Sequence, residues 1–366
     1  MRRALDLAES SFGLTEPNPR VGCVIGRSDG TVLGEGATQR AGGPHAEVMA
    51  LRAAAAAGHD VRGATAWVTL EPCAHHGRTP PCCDALVAAG IGRVVVGATD
   101  PFPQVSGAGI GRLRAGGVQV DLADSPTQLA CREVNIGFFS RVERGRPWVR
   151  VKVAASMDGR TALPDGRSQW ITGEAARRDG HAWRRRASAV LTGIGTVLAD
   201  DPLLDVRLVD SPGQPWRIVL DTHWRTPTDS RLLATPGRVL VVGSDPPGPA
   251  TEALEAAGAE LLRLPAGDGG IRLAALWPAL AGRGLNELHV EAGAVLNGKL
   301  AAGGWVDEWL LYLAPRLLGE GRGLAHMGAA LAEGALAADP PWAWIDCSPV
   351  GTDVRLRARR TTGAQN

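Results

Sequence analysis

The opening stretch MRRALDLAESSFGL sets apolar residues at helical spacing and predicts an amphipathic first helix. RVGCVIG and TVLGEGA then alternate apolar and small residues on either side of the turn sequence RSDG, which predicts a β-hairpin. HAEVMALRAAAAAG, residues 45 to 58, predicts an alanine-rich helix between Pro44 and Gly58. Strand ATAWVTL, helix CCDALVAAG, strand RVVVGATD, a helix near GIGRLRAGG and strand VQVDL follow. Strands alternating with helices of this length imply a mostly parallel sheet covered on both faces.

SRVERGRPW, residues 140 to 148, is charged, contains Gly and Pro, and interrupts the periodicity, so the domain boundary is expected there. VRVKVAAS opens a second series: helix 174 to 187, strands SAVLTGIG, WRIVLDT and GRVLVVGS, helix 250 to 257 and strand ELLRL. Helix 271 to 281, strand NELHVEAG, helix 294 to 302 and strand VDEWLLYLAP complete it. Residues 210 to 216 and 245 to 249 read as surface loops, and no internal repeat is visible. The expectation is two α/β domains, residues 1–145 and 146–366.

A chain of 366 residues with 45% hydrophobic and 21% charged residues is an ordinary globular composition. Its formal charge of +1 gives no global basic field of the kind that draws a protein onto a phosphate backbone, so nucleic acid is not an expected partner. No apolar run approaches the ~18 residues of a membrane span, and the N-terminus lacks a signal-peptide pattern, so a cytoplasmic protein without membrane attachment is expected. Six cysteines, three within one short loop, then point to a metal rather than to disulfides. Cys23, Cys131 and Cys347 are expected as small core residues.

The metal candidates lie where helices are expected to begin. A catalytic zinc keeps three protein ligands and an open fourth position. His45 opens one helix, Cys73 follows a strand, and Cys82, after Pro80 and Pro81, opens the next helix, which brings them to the carboxyl end of the strands. Glu47 then has a purpose: a carboxylate beside the activated water can take its proton and pass it to a leaving nitrogen. HAE and EPC match the H-x-E and P-C elements of zinc deaminases, although eight residues separate Cys73 from Cys82 where two are common. Two alternatives stay open: a merely solvated helix start at His45 and Glu47, and a closed structural zinc site with His75 or His76 as fourth ligand. Cys83, about 100° around the helix from Cys82, should point away from the metal.

EPNPRVGCVI, GPHAEVMAL and TLEPCAHHGRTPPCCDAL resemble the deaminase half of the RibD family of bifunctional riboflavin-biosynthesis proteins. KVAASMDGRTA, SQWITG, TVLADDPLLDVR and VEAG resemble its reductase half, and the long cysteine spacing is itself typical of that family. The resemblance implies a cytidine-deaminase-like three-layer α/β/α domain followed by a dihydrofolate-reductase-like α/β domain. It implies two reactions: zinc-dependent deamination of a diaminopyrimidinone ribosylamine 5'-phosphate, then NADPH-dependent reduction of the ribosyl group to a ribityl chain. By the same resemblance His45, Cys73 and Cys82 bind zinc, Glu47 shuttles the proton and Asn18 holds the pyrimidine. Ala154, Trp170, Thr196, Asp200 and Thr222, with the turn at Gly293, fall on positions for NADPH; Ser168, Arg184, Leu204, Arg207 and Glu291 fall on positions that contact substrate.

Physical chemistry adds part of this independently. Gly293 between a strand and a helix lets backbone N–H groups approach a pyrophosphate, though a lone glycine turn is also an ordinary loop. Arg184 and Arg207 offer paired donors to a phosphate, or form surface ion pairs. Lys152 and Asp200 are the ionisable candidates for assisting hydride transfer, unranked between them. Trp170 covers the nicotinamide or fills the core, and Asp201 can serve simply to turn the chain before Pro202. The competing readings are a single-function deaminase acting on another pyrimidine or on tRNA, and a zinc-stabilised binding protein. Oligomeric state is left open, homo-oligomer included.

Overall fold

The computed structural model of the chain describes residues 1–74, 80–102, 105–267, 270–327 and 341–361. They form two units, Met1–Pro147 with Ala281–Asn286, and Trp148–Leu280 with Glu287–Asn366. No described helix is long and apolar enough to cross a membrane.

The first unit contains α1 (Arg2–Ser10), β1 (Gly22–Gly26), β2 (Val32–Ala37), α2 (Ala46–Ala56), β3 (Thr65–Val68) and α3 (Cys82–Ala88). β4 (Arg93–Val96), α4 (Ala108–Ala115), β5 (Gln119–Leu122), α5 (Ser125–Val134) and α6 (Ile136–Arg144) follow. The sheet order is β2-β1-β3-β4-β5. β3, β4 and β5 run parallel, but β1 is antiparallel to both β2 and β3. The β1–β2 pair is the expected hairpin; the antiparallel pairing of β1 with β3 corrects the expectation of a mostly parallel sheet, because alternation marks a strand without fixing its direction.

The alanines of α2 are explained by what they meet. Ala46, Ala50 and Ala54, at i, i+4 spacing, are buried on one stripe of the helix. A Cβ at Gly34 would stand 2.3 Å from the Ala50 carbonyl oxygen, and one at Gly36 2.4 Å from Met49 Cβ. Small residues on both elements therefore let helix and strand backbones touch, which fixes where α2 begins. α1 approaches β1 on the opposite face: a Cβ at Gly22 would clash with the Ala4 carbonyl oxygen at 1.9 Å. α3 and α4 continue the layer of α2, α5 and α6 that of α1, giving three layers.

α5 and α6 were not expected, and α6 runs into the segment expected as a linker. Its stop is Gly145 at φ 66, a left-handed position that glycine adopts without strain. α5 carries a start signal, Asp124 accepting the Thr127 N–H at 3.0 Å.

The second unit contains β6 (Trp148–Ser156), α7 (Glu174–Arg186), β7 (Ala189–Gly193), α8 (Ile194–Asp200), β8 (Trp216–Leu220), α9 (Arg231–Ala234) and β9 (Val239–Gly243). α10 (Pro249–Ala256), β10 (Glu260–Arg263), the short pair β11 (Ala266–Gly267) and β12 (Gly270–Ile271), and α11 (Leu273–Gly282) come next. β13 (Glu287–Val290), α12 (Ala294–Ala302), β14 (Glu308–Ala314), β15 (Trp342–Val350) and β16 (Asp353–Arg360) complete it. A nine-stranded sheet runs β10-β9-β8-β7-β13-β6-β14-β16-β15. It is parallel from β10 to β14 and antiparallel in its last two pairings. β13 lies between β6 and β7, so chain order reverses there and a crevice opens at the strands' carboxyl ends.

Three further expectations are corrected. SAVLTGIG is a strand only to Gly193, where α8 starts; the β-branched residues Thr192 and Ile194 had carried the strand reading to residue 195. Strands β15 and β16 were not expected. Cys347 lies on β15 and is exposed, whereas Cys23 and Cys131 are buried.

Candidate functional site

His45 is the residue on which α2 starts, and α3 starts at Cys82 behind Pro81. Cys73 follows β3, and the Cys82 N–H donates to its Sγ at 3.3 Å. His45 Nδ1 lies 3.6 Å from Cys73 Sγ and 3.3 Å from Cys82 Sγ, and the three donor atoms fall within 4.8 Å of one another. Tetrahedral zinc with bonds of about 2.0–2.3 Å sets such donors roughly 3.6–3.8 Å apart, so donor types and spacing both fit it. Among the described residues no fourth ligand joins the group; His75 and His76 lie outside the described residues. Cys83 turns away, its Sγ 3.2 Å from the Pro72 carbonyl oxygen.

The thiol pair ionises unequally. The Cys82 thiol, by hydrogen bonding, and then His45 hold Cys73 down to about 4, while the second ionisation, on Cys82, is pushed up by the first. A thiolate is therefore available before a cation arrives. The hydrogen bond to Cys73 raises His45.

Glu47 is 3% exposed, which removes the reading of a solvated helix start. Burial pushes its carboxyl up to about 7, a value at which it can both take and return a proton near neutrality. It lines a cavity of about 680 Å³ together with His45, Cys73, Asn18, Asp100, Phe102 and Arg141. One wall is fastened by Glu71, of the EPC element. Its carboxylate accepts backbone N–H groups from Asp100 (3.2 Å), Gly107 (3.1 Å), Gly109 (2.9 Å) and Ile110 (3.2 Å). Sequence reading gave Glu71 no role. An acid placed just past a buried strand was the available signal.

In the second unit Arg184 and Lys152 meet Glu291, just past β13. Arg184 of α7 grips it through Nε and through Nη2 at 3.0 Å, and its Nη1 donates to the Asp205 carbonyl at 2.8 Å. Lys152 Nζ of β6 lies 3.7 Å from Glu291, and the Thr192 hydroxyl donates to the Glu291 carbonyl at 2.7 Å. Burial would raise the Glu291 carboxyl, but Arg184 and then Lys152 outweigh it and hold it well below the usual range. The Arg184 pair is thus partly buried, with side chains 13% and 16% exposed, whereas Arg207 pairs with Asp205 nearer the surface. Leu204 is buried at φ 52, a backbone conformation costly for a branched side chain.

The positions assigned to NADPH distribute along the same end of the sheet. Ala154 is on β6, Thr196 and the exposed Asp200 are on α8, Thr222 follows β8, and Gly293 immediately precedes α12. Ser168 and Trp170 lie between β6 and α7. Trp170 is 60% exposed, with the Arg177 guanidinium 4.7 Å from its ring centroid, so it does not fill the core. Asp201 takes φ 38 at the end of α8 and accepts the Arg231 N–H at 2.9 Å, a turning role.

Sequence reading also missed His181, whose Nδ1 accepts the Arg207 N–H at 3.2 Å. Burial, then Arg184 and Arg207, pulls its ring down to about 4. An unfolded histidine protonates near 6.5, so between these values the unfolded chain binds the extra proton and folding weakens as pH falls. The second unit should lose about 2 kcal/mol of stability between pH 7 and 4.5 from this group, and His181→Asn should flatten that part of the curve in urea unfolding.

The chain matches two family models: the cytidine and deoxycytidylate deaminase zinc-binding region over residues 1–98, and the RibD C-terminal domain over residues 147–344. It is 42% identical over 372 aligned residues to the riboflavin biosynthesis protein RibD of Escherichia coli (strain K12), covering 97% of each chain. A solved structure of Acinetobacter baumannii RibD superposes with a TM-score of 0.87 at 39% identity, over 99% of this chain and 98% of that one. A Thermotoga maritima structure, described as a diaminohydroxyphosphoribosylaminopyrimidine deaminase/5-amino-6-(5-phosphoribosylamino)uracil reductase, superposes with 0.85 at 31% identity, over 99% and 97%.

Proposed function

The chain belongs to the RibD family of bifunctional riboflavin-biosynthesis deaminase–reductases, and from that premise we propose residues 1–145 as its zinc-dependent deaminase and 146–366 as its NADPH-dependent reductase. The substrate we assign is the one for which the Thermotoga maritima relative is named, a diaminopyrimidinone carrying a phosphoribosylamino group. The observation that carries the deaminase assignment is the buried carboxyl of Glu47 opening into one cavity with His45 and Cys73, two of the three clustered donors.

His45, Cys73 and Cys82 would hold a zinc ion, whose chemistry there would be Lewis-acid activation of a water. Glu47 takes a proton from that water as its oxygen bonds to the amino-bearing ring carbon. The same carboxyl then returns the proton to the departing nitrogen, which leaves as ammonia. Asn18, lining the cavity, orients the ring. Thiolates at Cys73 and Cys82 would offset both charges of the zinc ion, so the Glu47 carboxylate would stand beside a centre of no net charge.

In the second unit NADPH supplies the hydride. Gly293, before α12, presents backbone N–H groups to its phosphates, with Ala154, Trp170, Thr196, Asp200 and Thr222 along the remainder. Ser168, Leu204, Arg207 and the Arg184–Glu291 pair hold the ribosyl phosphate, and Lys152 beside Glu291 is placed to hydrogen-bond the opened sugar. We assign the protein to the cytoplasm.

Purified full-length chain should carry about one zinc by atomic absorption. It should release ammonia from the diaminopyrimidinone phosphate without NADPH, and oxidise NADPH only once deaminated substrate is present. Ammonia release without later NADPH oxidation would leave a deaminase alone. Zinc held by a fourth protein ligand, seen by X-ray absorption, would leave a structural site.

A further inference from the structure

We infer that Arg141 is a specificity-determining residue of the deaminase cavity, where it binds the 5'-phosphate of the pyrimidine substrate. The inference rests on the deaminase reading above and adds a residue that neither sequence motifs nor family positions had singled out.

Arg141 and His45 are the only basic side chains among the described residues that line the cavity, and His45 belongs to the metal cluster. Arg141 comes from the last turn of α6. Its Nε donates to Asn286 Oδ1 at 2.6 Å and its Nη2 reaches the Pro17 carbonyl oxygen at 3.4 Å. The guanidinium carbon stands 5.7 Å from the Phe138 ring centroid. Both acceptors are neutral oxygens, so the guanidinium is aimed without being neutralised. Glu16, the acid whose field reaches it, is bonded to Arg20 at 2.7 Å and to Asn286 at 2.7 Å instead.

A partly buried cation without a counter-ion costs stability, and the cost is offset when an anion arrives. Among the described residues, the other charged side chains that line the cavity, the metal donors aside, are acids. Glu47, Glu71 and Asp100 each disfavour a phosphate, which leaves Arg141 as the described side chain that attracts it. The spacing along the chain suits one extended ligand: Pro17, whose carbonyl steadies the guanidinium, precedes Asn18, the residue assigned to the ring. A guanidinium held by one edge keeps other N–H groups for a phosphate, which it can meet with two parallel hydrogen bonds.

The test uses zinc-loaded full-length protein and follows ammonia release from the phosphorylated substrate and from its dephosphorylated ribosylamine. For Arg141→Met, KM for the phosphorylated substrate should rise about 10- to 100-fold while kcat stays within about 2-fold. KM for the dephosphorylated compound should stay at the wild-type value, and Arg141→Lys should recover part of the loss. Ribose 5-phosphate should inhibit wild type competitively and the methionine variant far less. Should Arg141→Met fold poorly, Arg141→Gln keeps a donor for Asn286 and removes only the charge, with the same expectations. Equal KM changes for both substrates, or undiminished inhibition by ribose 5-phosphate, overturn the inference alone. A wild-type protein that releases ammonia from neither compound overturns the deaminase reading and this assignment with it.

Discussion

Glu47→Gln is expected to lower ammonia release by about three to four orders of magnitude while the chain keeps its zinc. The substitution preserves shape and hydrogen-bonding capacity at a side chain that is 3% exposed, so packing of α2 against β2 is undisturbed. What it removes is the ability to hold a proton. Burial has moved the Glu47 carboxyl up to about 7, where proton uptake from water and delivery to the leaving nitrogen are both nearly balanced; an amide can do neither. Glu47 is not one of the three clustered donors, so metal content should be unaffected. Oxidation of NADPH with substrate already deaminated should equal the wild-type rate, because the residues assigned to that reaction belong to the other unit. Retained ammonia release in Glu47→Gln would remove the proton-shuttle role, and loss of zinc along with activity would make Glu47 a ligand instead.

The zinc cluster was legible because its chemistry is written into short motifs at element boundaries. His45 and Cys82 begin helices, and a strand end precedes Cys73, so local patterning alone brings them to one edge of the sheet. Arg141 and Glu71 were not legible, since what they do depends on partners distant in the chain. The Arg141 to Asn286 hydrogen bond spans 145 positions, and Glu71 reaches backbone groups up to 39 residues away. The helix α2 was legible from its bounds, Pro44 and Gly58, but the reason for its alanines was not; Gly34 and Gly36 on β2 supply it. The sense of β1 against β3 was not legible, because a hairpin followed by a helix leaves either sense open until that pairing is known. The first two residues of α8, Ile194 and Gly195, were read as strand because β-branched residues suit a pleated surface, and the glycine before Ile194 was not weighed as a helix start.

β16 escaped notice for a different reason, and it carries the second large expected effect. Its sequence DVRLRARR sets arginine at alternate positions, which resembles a solvated face. Those arginines in fact meet carboxylates. Arg357 Nε donates to Glu308 Oε1 at 2.8 Å and Arg359 Nε to Oε2 at 2.9 Å, while Arg150 Nε on β6 donates to Oε1 at 2.9 Å. Glu287 accepts from Arg150 at 3.1 Å and from Arg186 at 2.9 Å. Glu287, Glu308 and Arg150 are fully buried, and Trp183 lies under the Arg150 and Arg357 guanidinium groups at 4.4 and 4.7 Å. Burial opposes ionisation of Glu308, but Arg150, Arg357 and Arg359 outweigh it and hold the carboxyl far below its usual range. Glu308→Gln removes the one charge that three arginines share, so it should cost about 3–5 kcal/mol and lower the unfolding midpoint of the second unit by on the order of 10 °C. Adding Arg357→Met and Arg359→Met should recover part of that loss, because the buried positive charge then falls with the negative one. Because the folded carboxyl stays ionised far below the unfolded value near 4.3, the wild-type advantage over Glu308→Gln is full above pH 5 and shrinks as pH falls below it. Calorimetry at pH 7 and at pH 3.5 reads both expectations. A variant as stable as wild type at pH 7 would mean that these arginines are solvated rather than held by Glu308.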